Sequence, residues 1–448
     1  MTLPRYVPAF VIALMLSGLP AERAMAQAFQ ASLEDGLSAF NYGDNELAQR
    51  HFWRLAGQGD AVAQYYLAYM MDTGLGMRKD IAQAASWYRK SADQDYLPAV
   101  SYMGYIYSTG HGLRRDDEQA FKWYARAAQL GDAVAQNNLA TMLRMGRPYK
   151  KNLPLATQWF LQSATQGNIR AQYNLATMYR LGEGVQTNYP EALRWYTFAA
   201  NQGDVYSQNA LGYMYRTGTG VAKSIPIALD WYRRAAEQGH MSSQLIIAHM
   251  YETGEAGGSK GVEDAAIWYM HAAKTGNVQA QHRLGLMYET GRGLPADAAS
   301  AANWYRKAAE EGNYPPSMVA LGLMYEGGVG VRKDPIAARE WYQKAMNADY
   351  GLGYIQYARV SRYGVGGDKD IVGAYKWYKI ALEKMTEGES ELRATAVSNL
   401  TQLAAEMTNE ERVKAERDID TWMARQTLRA TPSGAAQQPQ QSPAFKYE

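Results

Sequence analysis

The chain has 448 residues, enough for two or three ordinary domains or for one long repeat array. Its charge is nearly balanced, 46 Lys and Arg against 44 Asp and Glu, which argues against general attraction to nucleic acid or to an anionic membrane surface. There is no Cys, which excludes disulfides, thiol catalysis, thiolate metal sites and a lipid-modified N-terminal Cys.

The first residues read as an address. Arg5 gives a basic start, Val7 to Leu19 form an apolar run, Pro20 ends it, and Ala24-Met25-Ala26 offers a small-x-small cleavage site. These are the parts of a signal peptide over residues 1–26, and the run is shorter than the ~20 residues of a membrane span. An uncleaved membrane anchor is the other reading. No second apolar stretch of spanning length follows, so the mature chain is expected to be periplasmic or secreted, without a transmembrane span.

Residues 27–57 predict a capping helix pair. Leu33, Leu37 and Phe40 share one face, Gly43-Asp44 turns, and Ala48, Phe52 and Leu55 follow. Terminal units of an array are atypical because one side meets water.

From residue 58 to 385 the chain repeats itself. Trp followed by an aromatic stands at Trp87-Tyr88, Trp123-Tyr124, Trp159-Phe160, Trp195-Tyr196, Trp231-Tyr232, Trp268-Tyr269, Trp304-Tyr305, Trp341-Tyr342 and Trp377-Tyr378. The interval is 36 residues, twice lengthened to 37, and gives nine copies. Three residues before each Trp is an Ala, from Ala84 to Ala374, as expected of a helix face pressed closely on a neighbour. Four residues after it comes Ser or Ala, the same face one turn on. Each Trp therefore lies in a helix, here helix B.

Seven residues before the Trp the column reads Asp80, Asp116, Asn152, Asn188, Ser224, Gly261, Asp297, Asp334 and Asp370, a set of helix N-caps. Glu191 and Gln83 are placed to complete capping boxes, and Pro335 sits at a first helical position. Ahead of the caps are Gly-x-Gly loops such as Gly182-Glu183-Gly184, and ahead of those is helix A, for example residues 171–179. A second Gly, from Gly131 to Gly312, is expected to close helix B. Both extra residues fall in turns, one between Gly254 and Val262 and one near Pro315-Pro316. Each unit is then a helix–turn–helix whose apolar face is covered only by its neighbours, so stacking predicts one continuous core.

Residues 386–429 predict two closing helices, with Asn409 as cap of the second and Trp422 on its apolar side. Residues 430–448 are poor in apolar side chains and are expected to be a disordered tail.

The Ala-x-x-x-Leu-Gly/Ala-x-Met-Tyr helix, the Gly-x-Gly-Val/Leu loop and the Ala-x-x-Trp-Tyr-x-x-Ala-Ala helix resemble the Sel-one-like repeats, a subfamily of the tetratricopeptide-type solenoids. The likeness runs from about Gln58 to Leu382. It departs at Arg147-Pro148-Tyr149 in the third loop and at Asp95 and Asp349, where Gly is usual. The resemblance implies an all-α, right-handed αα-solenoid whose A helices line the concave side.

Chemistry finds little footing in these columns. A cap column that accepts Asp, Asn, Ser and Gly is not a catalytic carboxylate, and Gly-x-Gly loops that follow helices are not nucleotide fingerprints. Of six His, only His249 and His282 fall on neighbouring A helices, with no fixed carboxylate partner. No catalytic residue, metal or cofactor is expected.

The array instead offers surface. On the A helices the residue after the Gln position reads Tyr65, Ser101, Asn137, Tyr173, Asn209, Leu245, His282, Val319 and Ile355. Four residues further on stand Tyr69, Tyr105, Thr141, Thr177, Tyr213, His249, Leu286, Leu323 and Arg359. These two columns vary where the packing columns do not, so Tyr65, Tyr69, Tyr105, Asn137, Tyr173, Asn209, Tyr213, His249, His282 and Arg359 are the candidate partner-binding residues. The expected function is a non-catalytic periplasmic scaffold or adaptor binding other envelope proteins. The resemblance implies roles in exopolysaccharide secretion assemblies, envelope signalling and host interaction. Two alternatives are a regulator that binds a sensor-kinase domain and a peptidoglycan- or β-lactam-related enzyme.

Overall fold

The structure, a computed structural model, describes residues 32–258, 261–385 and 390–430. The expected signal peptide, 1–26, and all but the first residue of the expected tail, 430–448, lie outside the described residues. Among the described residues every regular element is a helix. A helix over 32–41 and Asn45–Gly57 precede the array, A–B pairs run from Ala61–Thr73 to Ile371–Lys384, and Ser390–Glu406 and Asn409–Ala430 follow. The fold is an all-α solenoid.

The hairpin inside each pair is built from a few local rules. Helix Ala61–Thr73 stops at Gly74, whose φ of 82° is the left-handed conformation that glycine adopts without a Cβ clash. Its N–H donates to the Met70 carbonyl, which takes up one of the carbonyls left over at a helix end. Asp80 then caps helix Ile81–Asp93, its Oδ1 accepting from the Gln83 amide at 2.9 Å. The Asp80 backbone N–H turns back to the Met71 carbonyl at 2.9 Å, so the last turn of helix A closes the hairpin. The second Gly of the loop is required by packing. At Gly184 (φ 72°) a Cβ would stand 2.4 Å from the Leu153 carbonyl carbon, at the start of the preceding B helix.

That backbone bond corrects the expected capping boxes. The Asn188 N–H already donates to the Tyr179 carbonyl, so Glu191 is not needed there and accepts instead from Trp195 Nε1 at 3.1 Å. Gln83 likewise stands beside a cap whose N–H is already satisfied by Met71. Ser224 makes no side-chain cap, and Gly261 is the first residue of its helix rather than a cap. Helix Asn409–Ala430 is capped one residue earlier than expected. Thr408 Oγ1 accepts from the Glu411 amide and Glu411 Oε2 accepts from the Thr408 amide, a reciprocal pair that Asn409 does not form. Gly312 does not take the left-handed conformation; Asn313 does, at φ 47°, because the extra residue before Pro315 shifts the turn by one. Where Gly is missing, Asp95 and Asp349 adopt φ of 58° and 60°.

All nine Ala before the Trp are buried, and the residue after each Trp is buried in every copy. The Trp itself lies nearer the rim, where a cation often covers it: Lys90 stands 3.8 Å from the Trp87 ring centroid and Lys344 3.8 Å from that of Trp341.

The chain divides into two compact units, Met1–Gln238 and Gly239–Glu448. In the first, the buried apolar residues from Leu33 to Met214 form one cluster. The second departs from the expected single core: its apolar residues fall into three clusters that share the bordering residues Tyr288, Leu352 and Tyr357.

Along the pairs of the first unit runs a glutamine ladder. Gln64 Nε2 donates to the Ala56 carbonyl, and Gln64 Oε1 accepts from Gln94 Nε2 at 2.9 Å. The same arrangement joins Gln136 to Gln166, Gln172 to Gln202 and Gln208 to Gln238. Each Gln–Gln bond crosses 30 residues of sequence and ties an A helix to the end of its own B helix, while the Nε2 bond of Gln64 reaches the preceding B helix at Ala56.

Candidate protein-interaction surface on the A helices

The two variable columns have different environments. The first lies in the packing between successive pairs. Asn137 is only 6% exposed, Val319 2% and Ile355 4%. The cause is the start of the next A helix, which sits against this position. Ser101 Oγ donates to Asp132 Oδ1 at 3.0 Å, Asn174 Nδ2 donates to Asn137 Oδ1 at 3.1 Å, and His282 Nδ1 pairs with Ser317 Oγ at 3.0 Å. Tyr65 packs edge-on against Tyr88 and Tyr96, and Tyr173 lies 6.0 Å from Tyr206. Asn209 is half-buried. Much of this column's variation therefore answers to the neighbouring pair.

His282 shows the consequence. Its ring is enclosed by Tyr305 and Tyr314, and burial, aided by Arg283, pushes its pKa down to about 4. A ring held neutral in this way is a core group. His249, on the neighbouring A helix, is exposed. Among the described residues no three His, Asp or Glu side chains converge as they would around a metal ion.

The second column is the more open one, although Thr177 within it is buried. Tyr69 is 38% exposed, Tyr105 42%, Tyr213 45% and Leu323 47%. In the first unit Tyr69 meets Phe40 at 5.8 Å and Tyr105 meets Tyr102 at 5.2 Å, so each ring is held on one side and free on the other. Arg359, in the second unit, is instead engaged: its Nη1 donates to Glu326 Oε1 at 2.9 Å and its Nε to Gln356 at 2.8 Å.

A third column, three residues beyond the second, escapes a reading of the sequence that looks only for variable surface. It reads Asp72, Ser108, Arg144, Arg180, Arg216, Glu252, Glu289, Glu326 and Arg362. It carries the charge of this face, and the buried Tyr of helix B reaches it from below. Tyr269 donates to Glu252 at 2.7 Å, Tyr305 to Glu289 at 2.7 Å and Tyr342 to Glu326 at 2.8 Å. Burial first and the carboxylate second raise these phenol pKa values well above the usual tyrosine range. The same column also meets the middle residue of the next Gly-x-Gly loop: His111 Nε2 lies 2.6 Å from Asp72, and Arg144 Nε donates to Glu183 at 2.8 Å. The signal in the sequence is a change of sign, Arg144, Arg180 and Arg216 giving way to Glu252, Glu289 and Glu326 at a fixed place in the repeat.

A stack of helix pairs with one variable, half-open face is the architecture of a protein-binding solenoid. The sequence profile of the Sel1 repeat matches residues 61–96, 98–132, 133–168, 169–204, 205–240, 242–277, 278–313, 315–350 and 347–384, and the chain belongs to the Sel1 repeat family. Members of this family are generally protein-interaction scaffolds, and the fold is typical of non-catalytic binding proteins. Two solved structures resemble it along most of their length. A protective antigen of uropathogenic Escherichia coli with an SLR fold is 28% identical, with a TM-score of 0.67 over 94% of this chain and 91% of its own. A Sel1 repeat protein from Oxalobacter formigenes is 26% identical, with a TM-score of 0.57 over 80% of this chain and 95% of its own. No curated protein matches the chain by sequence.

Proposed function

We propose that the chain is an exported scaffold or adaptor of the cell envelope that binds protein partners along its A helices, without catalysing a reaction. The observation that carries the reading is the open column: Tyr69, Tyr105 and Tyr213 recur at one helix position of the first unit, each more than a third exposed. Tyr buries a large area with few rotors and brings a hydroxyl, which makes it a favourable contact residue. Export rests on the signal-like sequence of residues 1–26. No helix among the described residues is long and apolar enough to cross a membrane.

The test is affinity capture from crosslinked envelope extract with the native chain and with the triple variant Tyr69→Ala, Tyr105→Ala and Tyr213→Ala, after circular dichroism has shown that the variant is folded. The expected result is a partner held by the native chain and lost by the variant. Equal capture by both overturns the assignment of the open column. Fractionation that leaves the protein in the cytoplasm overturns the envelope location.

A further inference from the structure

One arginine on this face lacks the counter-ion that the same place in the repeat supplies to Arg144. In the third column Arg144 pairs with Glu183, the middle residue of the next Gly-x-Gly loop, across 39 residues of sequence. Asp72 pairs with His111 at the same separation. The residue in that place for Arg180 is Thr219, which carries no charge and whose hydroxyl is engaged with Thr217 Oγ1 at 2.7 Å.

Arg180 is half-buried, and its Nε reaches only the Tyr196 hydroxyl, at 3.4 Å. Tyr196 Oη is shared with Thr177 Oγ1 at 2.9 Å, and the Tyr173 ring lies 5.8 Å from that of Tyr196. The Tyr196 phenol is its hydrogen-bond partner, and the phenols of Tyr173 and Tyr213 are also near enough to act on the guanidinium. The three A helices Ala133–Met145, Ile169–Leu181 and Val205–Thr217 contain Arg144, Arg170, Arg180 and Arg216 and no Asp or Glu. A partly desolvated cation without a counter-ion is costly, whereas a carboxylate brought to it forms a short, charge-assisted pair.

We propose that Arg180, with Tyr173 and Tyr213 beside it, is the binding site for a carboxylate side chain of a partner, so that the partner presents an acidic segment of polypeptide to this face. The site rests on the reading of the A helices as a protein-binding surface and names the chemistry of what they bind. Thr219 leaves the place open that Glu183 fills one repeat earlier. The exposed Tyr213 ring flanks the segment, and Arg216 stands at the same turn of the next helix.

The experiment uses the full chain and a fluorescent glutamate-rich peptide, with the matching glutamine peptide as reference. The native chain is expected to prefer the glutamate peptide, and added salt to weaken the complex. Arg180→Gln weakens it about tenfold, the scale of one lost charge-assisted bond. Thr219→Glu, which copies Glu183 and so fits the fold, supplies the counter-ion internally and also weakens it about tenfold. Lys122→Gln, an equal change of charge on a B helix, leaves binding within twofold.

Unchanged binding by Arg180→Gln and Thr219→Glu overturns the site. A library of short random peptides displayed on phage separates this failure from that of the wider reading. Selected peptides enriched in Asp and Glu support the site. Selected peptides with no such enrichment, lost on the triple Tyr→Ala variant, overturn the Arg180 site and leave the scaffold reading standing. A library from which the folded chain selects nothing overturns both.

Discussion

In the unit Met1–Gln238 the recurring polar contact between helices runs from amide to amide; in the unit Gly239–Glu448 it runs from phenol to carboxylate. The glutamine ladder links Gln64 to Gln94, Gln136 to Gln166, Gln172 to Gln202 and Gln208 to Gln238 in the first. In the second, Gln281 still donates to the Ala273 carbonyl, but its partner position holds Glu311, and Gln281 Oε1 is buried without a hydrogen bond. There each B helix is tied to its own A helix by the bonds from Tyr269, Tyr305 and Tyr342 to their glutamates. The repeat thus prescribes apolar columns and turns, and leaves a few slots in which polar partners are chosen pairwise. Both Gln positions become apolar together at Val100 with Leu130 and at Met318 with Ala348. A lone amide there would be an unsatisfied buried group, which costs more than the absence of both.

The largest expected effect is acid sensitivity confined to the second unit. The folded pKa of His282, about 4, lies below the usual 6.5, so the neutral ring is favoured in the fold and the proton in the unfolded chain. The resulting stability is complete above pH 6.5 and falls by about 3 kcal/mol as the pH drops to 4. Amide exchange of helix Val278–Thr290 measured across this range should show the loss. His282→Asn, which copies Asn137 of the first unit, should flatten it, and an unaltered slope would remove His282 as its source.

Breaking the ladder comes next. Gln208→Ala removes the bonds to the Gln238 amide and the Ala200 carbonyl, leaving Gln238 the Arg234 carbonyl, and is expected to cost about 2 kcal/mol in denaturant unfolding. The double change Gln208→Val with Gln238→Leu, which copies Val100 and Leu130, should stay within about 1 kcal/mol of the native chain. If the double variant is as unstable as the single one, pairwise choice is not the rule.

Completing the ladder in the second unit sharpens the contrast in the opposite direction. Glu311→Gln gives the Gln281 oxygen a donor and should stabilise by about 1 kcal/mol, read as slower exchange in helices Val278–Thr290 and Ala298–Glu310. The smallest effect is expected in the Tyr column. Tyr305→Phe removes a bond to Glu289 and costs about 1 kcal/mol, while Tyr88→Phe removes a hydroxyl with no hydrogen-bond partner and should change thermal stability by about 0.5 kcal/mol or less. Phe160 already occupies this column. A large loss on Tyr88→Phe would show that its hydroxyl is satisfied after all.

The period, the helix pairs, the Gly turns and the apolar columns can all be read from the order of residues. Each of these is a local requirement repeated nine times, so columns such as Ala84 to Ala374 expose it without any three-dimensional knowledge. The glutamine ladder was also legible, as Gln recurring 30 positions apart in four copies and apolar residues taking both places in two others, but only to a reader who compared two columns at once. Tertiary structure alone decided which variable residues are free. Tyr65, Asn137 and His282 look like surface on a helical wheel, yet the start of the next A helix covers them; Tyr69, Tyr105 and Tyr213, one turn on, escape that cover. It also decided that Arg144 meets Glu183 across 39 residues, while the same place beside Arg180 falls to Thr219. The physical reason is range: helix and turn preferences act over a few residues, whereas burial and charge pairing are set by the neighbouring repeat.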